Sequence, residues 1–517
     1  MSREVLTLPD LYEASITELQ DGLQGGLFTS VDLVKAYLAR IDEVNFKGPK
    51  LRAVIETNPR VLVQATALDV ERKEKGARGP LHGIPILLKD NIATDTSDGS
   101  YALLDSVPPR DATVAAKLRS AGALLLGKAN LSEWSNFRGK VPSGFSGRGG
   151  QATCPFLENA DPSGSSSGSA VASAIGLAAA SLGTETDGSI VCPASRNNIV
   201  GVKPTVGLTS RAGVIPISKS QDTVGPMTRS VTDAALVLSA IAGRDELDDV
   251  TLRQPTVVPQ YVTSLRVESL RGARLGVPRE YQPMDPNIIS AFDRAIKVIE
   301  DLGATIVNPA DFPNAEVLRE TQNENLVLET EFRDGLEQYF SSLLKNPNGI
   351  RTVDDLIDFN EKNSELELIE PYYSSQSRLH TARTRSINDE YYQTIERNHI
   401  LARTNGIDAT LKEFDLDAMI LPTDGYLRTP AAIAGYPLIT LPLGFQPDEV
   451  PTTEAKPTID NGPGLPFGLL FLGPAFSEAK LLGYAYAYEQ ATRTRLSKRA
   501  PDTAVPKTQL RDVLGAH

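Results

Sequence analysis

The sequence has few of the residues that form disulfide, metal and nucleic-acid sites. Its 517 residues include two cysteines, four histidines and one tryptophan. Two cysteines exclude a disulfide framework and a thiolate metal cluster, although a single bridge between Cys154 and Cys192 stays open. A net charge of −13 argues against a surface that binds the phosphate backbone of nucleic acids. We therefore expect no metal, no cofactor and no nucleic-acid partner.

Long apolar runs are also lacking. No stretch approaches the roughly 20 apolar residues that a membrane-spanning helix needs. No apolar segment follows residues 1–5, as it would in a secretory leader. We therefore expect a cytoplasmic protein without a membrane span. Its 41% of hydrophobic and 23% of charged residues are typical of a globular chain with a large core.

What the sequence does contain is an alternation of helix and strand patterns. Thr29 precedes an amphipathic helix over 30–41, and an Ala-rich helix is predicted from the serine-rich turn at 162–170 through Ala180. A strand–helix–strand unit is predicted over 274–307. Because no linker separates two cores, we expect a single α/β/α domain with a large mixed β-sheet covered by helices. Other predicted elements are a helix at 61–75 and strands at 51–55, 84–89, 124–127, 418–423, 438–442 and 468–473.

Three polar features stand out against this pattern. Residues 183–190 are rich in small side chains and end in a Gly-bearing turn with Ser189, where backbone N–H groups can converge on a carbonyl oxygen. A serine-rich turn lies upstream, and an apolar strand ends at Lys89. Each alone has an ordinary interpretation, as a surface turn or as a lysine that extends into solvent. A lysine enclosed by apolar groups, however, favours its neutral form and can act as a base.

The serine-rich turn also fits the G-x-S-x-G pattern of α/β-hydrolases over 164–168, with Ser166 as the nucleophile. That interpretation requires a strand before the motif and an acid and a histidine after it. Pro162 interrupts the strand, and His380 and His399 lie in polar sequence that is predicted to be helical. The motif therefore lacks its required context.

Taken together, the lysine and the two serine turns resemble the amidase signature family. Ser189 follows Ser165 by 24 residues and Lys89 by 100, which is close to the family spacing. The resemblance implies a catalytic triad in which Ser189 attacks the amide carbon, Lys89 accepts the proton through Ser165, and water cleaves the acyl-enzyme. It also implies a cis peptide bond between Gly164 and Ser165. The expected oxyanion hole consists of the backbone N–H groups of Thr186, Asp187, Gly188 and Ser189.

The nucleophile motif departs from the common family form. Glu185, Asp187 and Val191 stand where many members have Asp, Gly and Arg, but none of these changes removes a catalytic group. The segments 201–208 and 215–226 are most similar to the peptide amidase branch, as is 130–138. The similarity at 130–138 makes Trp134, Asn136 and Phe137 candidates for the substrate pocket, and Ser166 is a fourth candidate.

The resemblance implies a hydrolase of linear carboxylic amides that works as a monomer or a homodimer. We expect C-terminal amides of peptides or amino-acid amides as substrates, with release of ammonia, because no apolar membrane-facing helix is predicted for a fatty-acyl substrate. Aryl, aliphatic or fatty-acyl amides are alternative substrates. Two alternative functions are an amidotransferase subunit that needs partner chains and a binding protein without catalytic activity.

The expected layout is one amidase domain over 1–517. A helical layer is predicted at 1–60 and the amidase signature core at 61–250. Charged helices are predicted at 310–405, where the family resemblance is thinnest. This variable region either covers the cleft and sets specificity or forms a solvated cap without substrate contact.

Overall fold

A computed structural model describes residues 7–94, 100–320 and 323–514. Residues 1–6, on which the expected absence of a leader depends, lie outside the described residues. The strands within the described ranges are β1 Val54–Thr57, β2 Pro85–Lys89, β3 Leu124–Ala129, β4 Phe145–Ser146, β5 Gly150–Gln151, β6 Ala180–Glu185, β7 Val200–Lys203, β8 Thr223–Thr228, β9 Arg274–Gly276, β10 Thr305–Val307, β11 Ala418–Pro422, β12 Leu438–Phe445 and β13 Pro466–Leu472.

The α-helices surround these strands, and a π-helical segment, Ile400–Ile407, joins two of them. The helices are α1 Ile16–Gln24, α2 Ser30–Val44, α3 Val61–Lys75, α4 Thr113–Ser120, α5 Ser167–Ala174, α6 Val191–Arg196, α7 Val231–Ile241, α8 Pro286–Asp301, α9 Ala315–Glu320, α10 Asn323–Ser342, α11 Val353–Lys362, α12 Ser364–Glu367, α13 Ser377–Ala382, α14 Asp389–His399, α15 Asp408–Glu413, α16 Arg428–Ala434, α17 Glu478–Thr492 and α18 Leu510–Leu514.

Eleven strands form one mixed sheet in the order β1-β3-β2-β6-β8-β7-β12-β13-β11-β9-β10. Strand β2 runs parallel to β3 and to β6, whereas β8 runs antiparallel to β6. The carboxyl ends of β2 and β6 therefore meet the amino end of β8 at one edge of the sheet. The predicted α/β fold with a large mixed sheet is confirmed.

Strands β2, β6, β7, β8 and β13 are buried along their whole length because helices cover both faces of the sheet. All five residues of β2 are buried, and so are all seven of β13. The main hydrophobic core runs through the sheet from the N-terminal helices to the last ones. This continuous core is the rigid support for the loops at the sheet edge.

Most helix predictions from local pattern hold. Helix α2 begins after Thr29, whose side chain forms a capping box with Asp32, and α3 has the predicted bounds. The predicted extension of the Ala-rich helix through Ala180 is wrong. Helix α5 ends at Ala174, because the chain turns through Gly176 with a φ of +69° and Ala180 already begins β6. The sequence pattern did not show where the helix ends and the strand begins, because residues 170–180 are nearly all small or apolar.

The strand–helix–strand prediction near residue 290 is also confirmed. Strands β9 and β10 pair in parallel, and α8 connects them. Helix α8 begins at Pro286 because Asp285 accepts a hydrogen bond from the Asn287 N–H and Pro286 fits the first turn of a helix. The first strand begins later than predicted, at Val54.

The variable region has a second hydrophobic cluster of its own, which we call the cap cluster. It joins α10, α11 and α13 to Trp134 and Phe137, the aromatic residues that follow β3. The ring of Phe137 lies 4.8 Å from that of Phe332, and the ring of Trp134 lies 6.1 Å from that of Phe340, both in edge-to-face arrangements. These contacts fix the helices against the predicted pocket wall.

Phe332→Ala tests how far the cap cluster stabilises the protein. The ring is only 1% exposed, so its removal leaves a cavity, and we expect the free energy of unfolding to fall by about 3–5 kcal/mol. Urea unfolding followed by tryptophan fluorescence measures this loss, since Trp134 belongs to the same cluster. The exposed Tyr392→Ala in α14 is the control. Equal stability of the two variants would contradict the cluster's role.

Candidate active site

The Lys89 amine lies at the sheet edge where β2 ends. The side chain is fully buried, and its Nζ donates hydrogen bonds to Ser165 Oγ at 2.7 Å and to Thr184 Oγ1 at 2.8 Å. A longer hydrogen bond of 3.3 Å reaches the Thr184 carbonyl. Because β6 is the parallel neighbour of β2, Thr184 near its end is brought beside Lys89. The lysine thus contacts one of the predicted serines directly.

Burial controls the protonation of this amine. It lowers the pKa of Lys89 from 10.5 to about 7, although the nearby carboxylates of Asp222 and Glu185 oppose the change. A large fraction of the amine is therefore neutral near pH 7. A neutral amine within hydrogen-bond distance of a hydroxyl can accept its proton.

Ser165 lies two residues before the start of α5. Its peptide bond to Gly164 is cis, as the resemblance implies, and its side chain is fully buried. The Ser165 carbonyl accepts a hydrogen bond from the Ser132 N–H at 3.0 Å. Gly164 is close to the same residue, since a Cβ there would lie 2.3 Å from Ser132 Oγ. The 130–138 segment thus fixes the backbone of the buried serine.

Ser189 lies on the turn that follows β6, and its side chain is 9% exposed. Gly188 has a φ of +84°, and a Cβ there would lie 2.8 Å from Cys192 Sγ, so the turn requires glycine. The buried Glu185 carboxylate closes the turn by accepting hydrogen bonds from the N–H groups of Ile190 at 2.6 Å and Val191 at 2.9 Å. Burial raises the pKa of this carboxyl group.

The two serine turns are adjacent. The Ser166 N–H donates to the Ser189 carbonyl at 3.1 Å, which places Ser189 beside the residue that follows Ser165. Within the described residues, the Ser189 hydroxyl makes no hydrogen bond to protein. The backbone N–H groups of 186–189 likewise donate to no protein group in that part of the chain. Backbone N–H groups on one turn that have no protein acceptor can bind a negatively charged oxygen.

Two of the predicted pocket residues, Trp134 and Asn136, lie on the turn that follows β3. Trp134 borders a small cavity with Asn91 and Ser135, next to the Lys89 strand end, whereas Asn136 is exposed. Trp134, Ser135 and Asn136 all have positive φ values, from 51° to 70°, an uncommon conformation for residues with side chains. The chain therefore turns in a left-handed sense at the border of this cavity.

The other two predicted pocket residues, Phe137 and Ser166, are engaged by the protein itself. Phe137 packs in the cap cluster, where the Arg378 guanidinium also lies over its ring at 4.6 Å. The Ser166 hydroxyl donates to the Thr184 carbonyl at 3.1 Å and accepts from the Thr184 N–H at 3.2 Å. These bonds tie α5 to β6, which is a structural contribution to the site.

A polar wall that the sequence analysis missed lies beside the Ser189 turn. Asp187 Oδ2 accepts from Thr429 Oγ1 at 2.8 Å, and Asp187 Oδ1, which lies 3.7 Å from Arg428 Nε, has no hydrogen bond within the described residues. Glu324 of α10 accepts from Gln221 Nε2 at 2.9 Å, and burial raises the pKa of Glu324 to about 8. These residues lie far apart in sequence, so no local pattern connects them.

Three further expectations concern metal sites, the pairing of the two cysteines and membrane-spanning helices. Within residues 7–94, 100–320 and 323–514, no group of three or more His, Cys, Asp or Glu side chains could hold a metal ion. Cys154 and Cys192 are both free, which answers the open question of their pairing. No helix in the described ranges is both long and apolar enough to cross a membrane.

Comparison with known proteins gives one consistent family. A family model described as Amidase matches residues 32–482. The native peptide amidase of Stenotrophomonas maltophilia superposes with a TM-score of 0.85 at 43% identity, over 95% of this chain and 98% of that one. A putative amidase of Arthroderma benhamiae is 42% identical over 94% of this chain and 87% of its own length.

A more distant group of relatives consists of amidotransferase subunits. The A-type subunit of the glutamyl-tRNA(Gln) amidotransferase from Heliobacterium modesticaldum is 34% identical over 96% of this chain and all of its own length. It is less similar than the amidases, which share 39 to 42% of residues with this chain. The family match covers most of the sequence, including both serine turns and Lys89. The chain therefore belongs to the amidase signature family and is an amide-hydrolysing enzyme.

Proposed function

We propose that the enzyme is a serine amidohydrolase in which Lys89, Ser165 and Ser189 form the catalytic unit. The observation that carries this proposal is the 2.7 Å hydrogen bond between the fully buried Lys89 amine and Ser165 Oγ. The next residue, Ser166, donates its backbone N–H to the Ser189 carbonyl. A serine becomes a strong nucleophile when a base within reach accepts its proton. The neutral lysine is the base, and Ser165 relays the proton.

In the proposed reaction, Ser189 Oγ attacks the amide carbon and its proton passes through the Ser165 hydroxyl to Lys89 Nζ. The same route returns a proton to the departing nitrogen, and the C–N bond breaks to leave an acyl ester on Ser189. Water then adds to the ester carbon and gives a proton to the relay. The C–O bond to Ser189 breaks, the relay returns the proton to Ser189 Oγ, and the acid is released.

The negative oxygen of each tetrahedral intermediate binds the N–H groups of Thr186, Asp187, Gly188 and Ser189. Their lack of protein partners within the described residues supports this role, because donors that are already oriented stabilise developing charge without reorganisation. Glu185 maintains the turn through two backbone hydrogen bonds. The Glu at this position, where many members have Asp, thus has a structural function.

We propose peptide-like amides as substrates, namely C-terminal amides of peptides or amino-acid amides. Support comes from the similarity to peptide amidases and from the polar wall beside Ser189, where Asp187, Arg428 and Glu324 offer partners for polar groups near the scissile amide. A long alkyl chain would exclude water from these half-buried polar groups and offer them no hydrogen bonds in return. Trp134 supplies an apolar wall on the Lys89 side.

A component of an amidotransferase is the second candidate, favoured by full-length similarity to the glutamyl-tRNA(Gln) amidotransferase relatives. Such a component would act with partner chains, whereas a peptide amidase would act alone. Activity of the purified chain on free amides separates these functions. The higher identity to amidases favours independent activity.

Ser189→Ala is expected to abolish turnover, while Lys89→Ala and Ser165→Ala reduce kcat by several orders of magnitude, since members of one catalytic unit act together. Ammonia release from an amidated dipeptide measures these rates. The control is Ser173→Ala in α5, the helix that follows the relay serine; the Ser173 hydroxyl bonds to Ser181 and to the Met227 carbonyl. Mass spectrometry of a trapped acyl-enzyme should place the acyl group on Ser189. An adduct on Ser166 would contradict the proposal.

The pH dependence follows from the lowered pKa of Lys89. The neutral amine is the active form, so kcat/KM should be level at alkaline pH and fall by about tenfold per pH unit below a value near 7. Initial rates between pH 5 and pH 10, with enzyme stability checked at each pH, measure the profile. A rate that rises as the pH falls would exclude a neutral lysine base.

The substrate proposal predicts cleavage of amidated dipeptides and amino-acid amides by the chain alone, with ammonia as a product. Long-chain acyl amides should be poor substrates because their alkyl chains would displace water from the polar wall without forming hydrogen bonds to it. An ammonia-release screen over peptide, aryl, aliphatic and fatty-acyl amides tests both statements. A preference for long acyl chains would overturn the substrate class and leave the catalytic unit in place.

A further inference from the structure

Asp222 is a half-buried carboxylate that the proposed reaction does not use. It directly precedes β8, and the register of β6 with β8 pairs Glu185 with Thr223. The next residue outward on each strand is Thr186 on one side and Asp222 on the other. The sheet therefore places Asp222 opposite the first residue of the nucleophile turn, at the same edge as Lys89.

The contacts of Asp222 are well defined. Its Oδ1 accepts a hydrogen bond from Thr186 Oγ1 at 2.5 Å, and its Oδ2 accepts from the N–H groups of Ile217 at 2.8 Å and Ser218 at 2.9 Å. The preceding Gln221 donates to the Thr186 carbonyl at 3.4 Å. Residues 221 and 222 thus hold both the side chain and the backbone of Thr186.

The loop that carries Asp222 is anchored to the variable region. Glu331 of α10 accepts hydrogen bonds from the hydroxyl groups of Ser218 and Ser220, the latter at 2.8 Å, and from the Ser220 N–H at 3.2 Å. Glu331 also accepts from Tyr391 of α14 at 2.7 Å. Because the loop is fixed on both sides, Asp222 can hold Thr186 in one position.

Asp222 also acts on Lys89 through its charge. Of the carboxylates near the amine, Asp222 opposes the lowering of the Lys89 pKa most, and Glu185 of β6 follows. Burial raises the pKa of Asp222 itself to about 6, and the Arg211 guanidinium opposes this change. Arg211 is paired with Asp248 at 2.7 Å, so most of its charge is compensated. Because the pKa of Asp222 still lies below that of Lys89, Asp222 keeps its negative charge while the lysine titrates.

We propose that Asp222 is a positioning residue of the reaction, which holds Thr186 in the oxyanion-binding turn and places a negative charge near Lys89. This inference rests on the proposed function, since it acts through two groups of the catalytic site. The carboxylate makes no contact with the scissile amide in this scheme. It sets where the turn lies and at which pH the lysine becomes neutral.

Asp222→Asn separates charge from geometry. The amide oxygen can accept from the two loop N–H groups while its NH₂ group donates to Thr186 Oγ1, so the contacts persist without the charge. The acid limb of kcat/KM should then move to lower pH by about one pH unit, because loss of a nearby negative charge disfavours protonated Lys89. The control is Asp233→Asn, a fully buried aspartate that instead accepts from the Ile16 N–H. It should leave the limb in place.

Thr186→Val tests the geometric half of the inference and also serves if Asp222→Asn does not fold. The variant keeps the shape and the Asp222 charge but removes the hydroxyl that bonds to Asp222. We expect kcat at alkaline pH to fall on the order of tenfold with KM nearly unchanged, because oxyanion binding acts in the transition state. Wild-type kcat in this variant would overturn the positioning of the turn.

The outcomes separate this inference from the proposed function. If the wild-type enzyme has an acid limb near pH 7 and Asp222→Asn leaves it unmoved, the role of the charge is overturned while the Lys89 mechanism stands. If the wild-type enzyme has no such limb, the lysine base fails and the inference fails with it. A limb that moves to lower pH only in Asp222→Asn, together with a lower kcat in Thr186→Val, supports both parts.

Discussion

The proposed chemistry depends on keeping the Lys89 amine away from water while hydrogen bonds hold it. A shift of its pKa from 10.5 to about 7 means that protonating this amine is less favourable than in water by roughly 5 kcal/mol. Such a cost requires a fully enclosed side chain, which the buried β2 strand and its two parallel neighbours provide. The rigid sheet is therefore a condition of the chemistry as well as of stability.

Strand direction explains why the site lies where it does. Parallel β2 and β6 bring Lys89 and the Ser189 turn to one edge, and antiparallel β8 brings Asp222 to the same edge from the opposite direction. A purely parallel sheet would have put the start of β8 at the far edge. Because the sheet is mixed, Asp222 lies at the site, although the family resemblance assigned it no role.

The sequence predicted those parts of the protein that depend on local pattern. Thr29 shows where α2 starts, and the apolar run before Lys89 shows a buried strand, because capping and burial have clear signatures. The helix predicted through Ala180 failed because alanine and serine fit a buried helix and a buried strand equally well. The lysine and two serines were found by their spacing together with the family resemblance, while their proximity is visible only in three dimensions.

The missed residues share one physical feature, which is that their partners are distant in sequence. Glu324 and Glu331 lie in a charged helix whose pattern is that of a solvated surface, yet they bond to Gln221 and to the serines of the same loop. These contacts argue against the variable region as a mere solvated cap, since that region fixes the loop that holds Thr186. A substitution in α10 can therefore alter the geometry at Ser189 without changing any residue of the proposed catalytic unit. Members of one family can differ in substrate in this way.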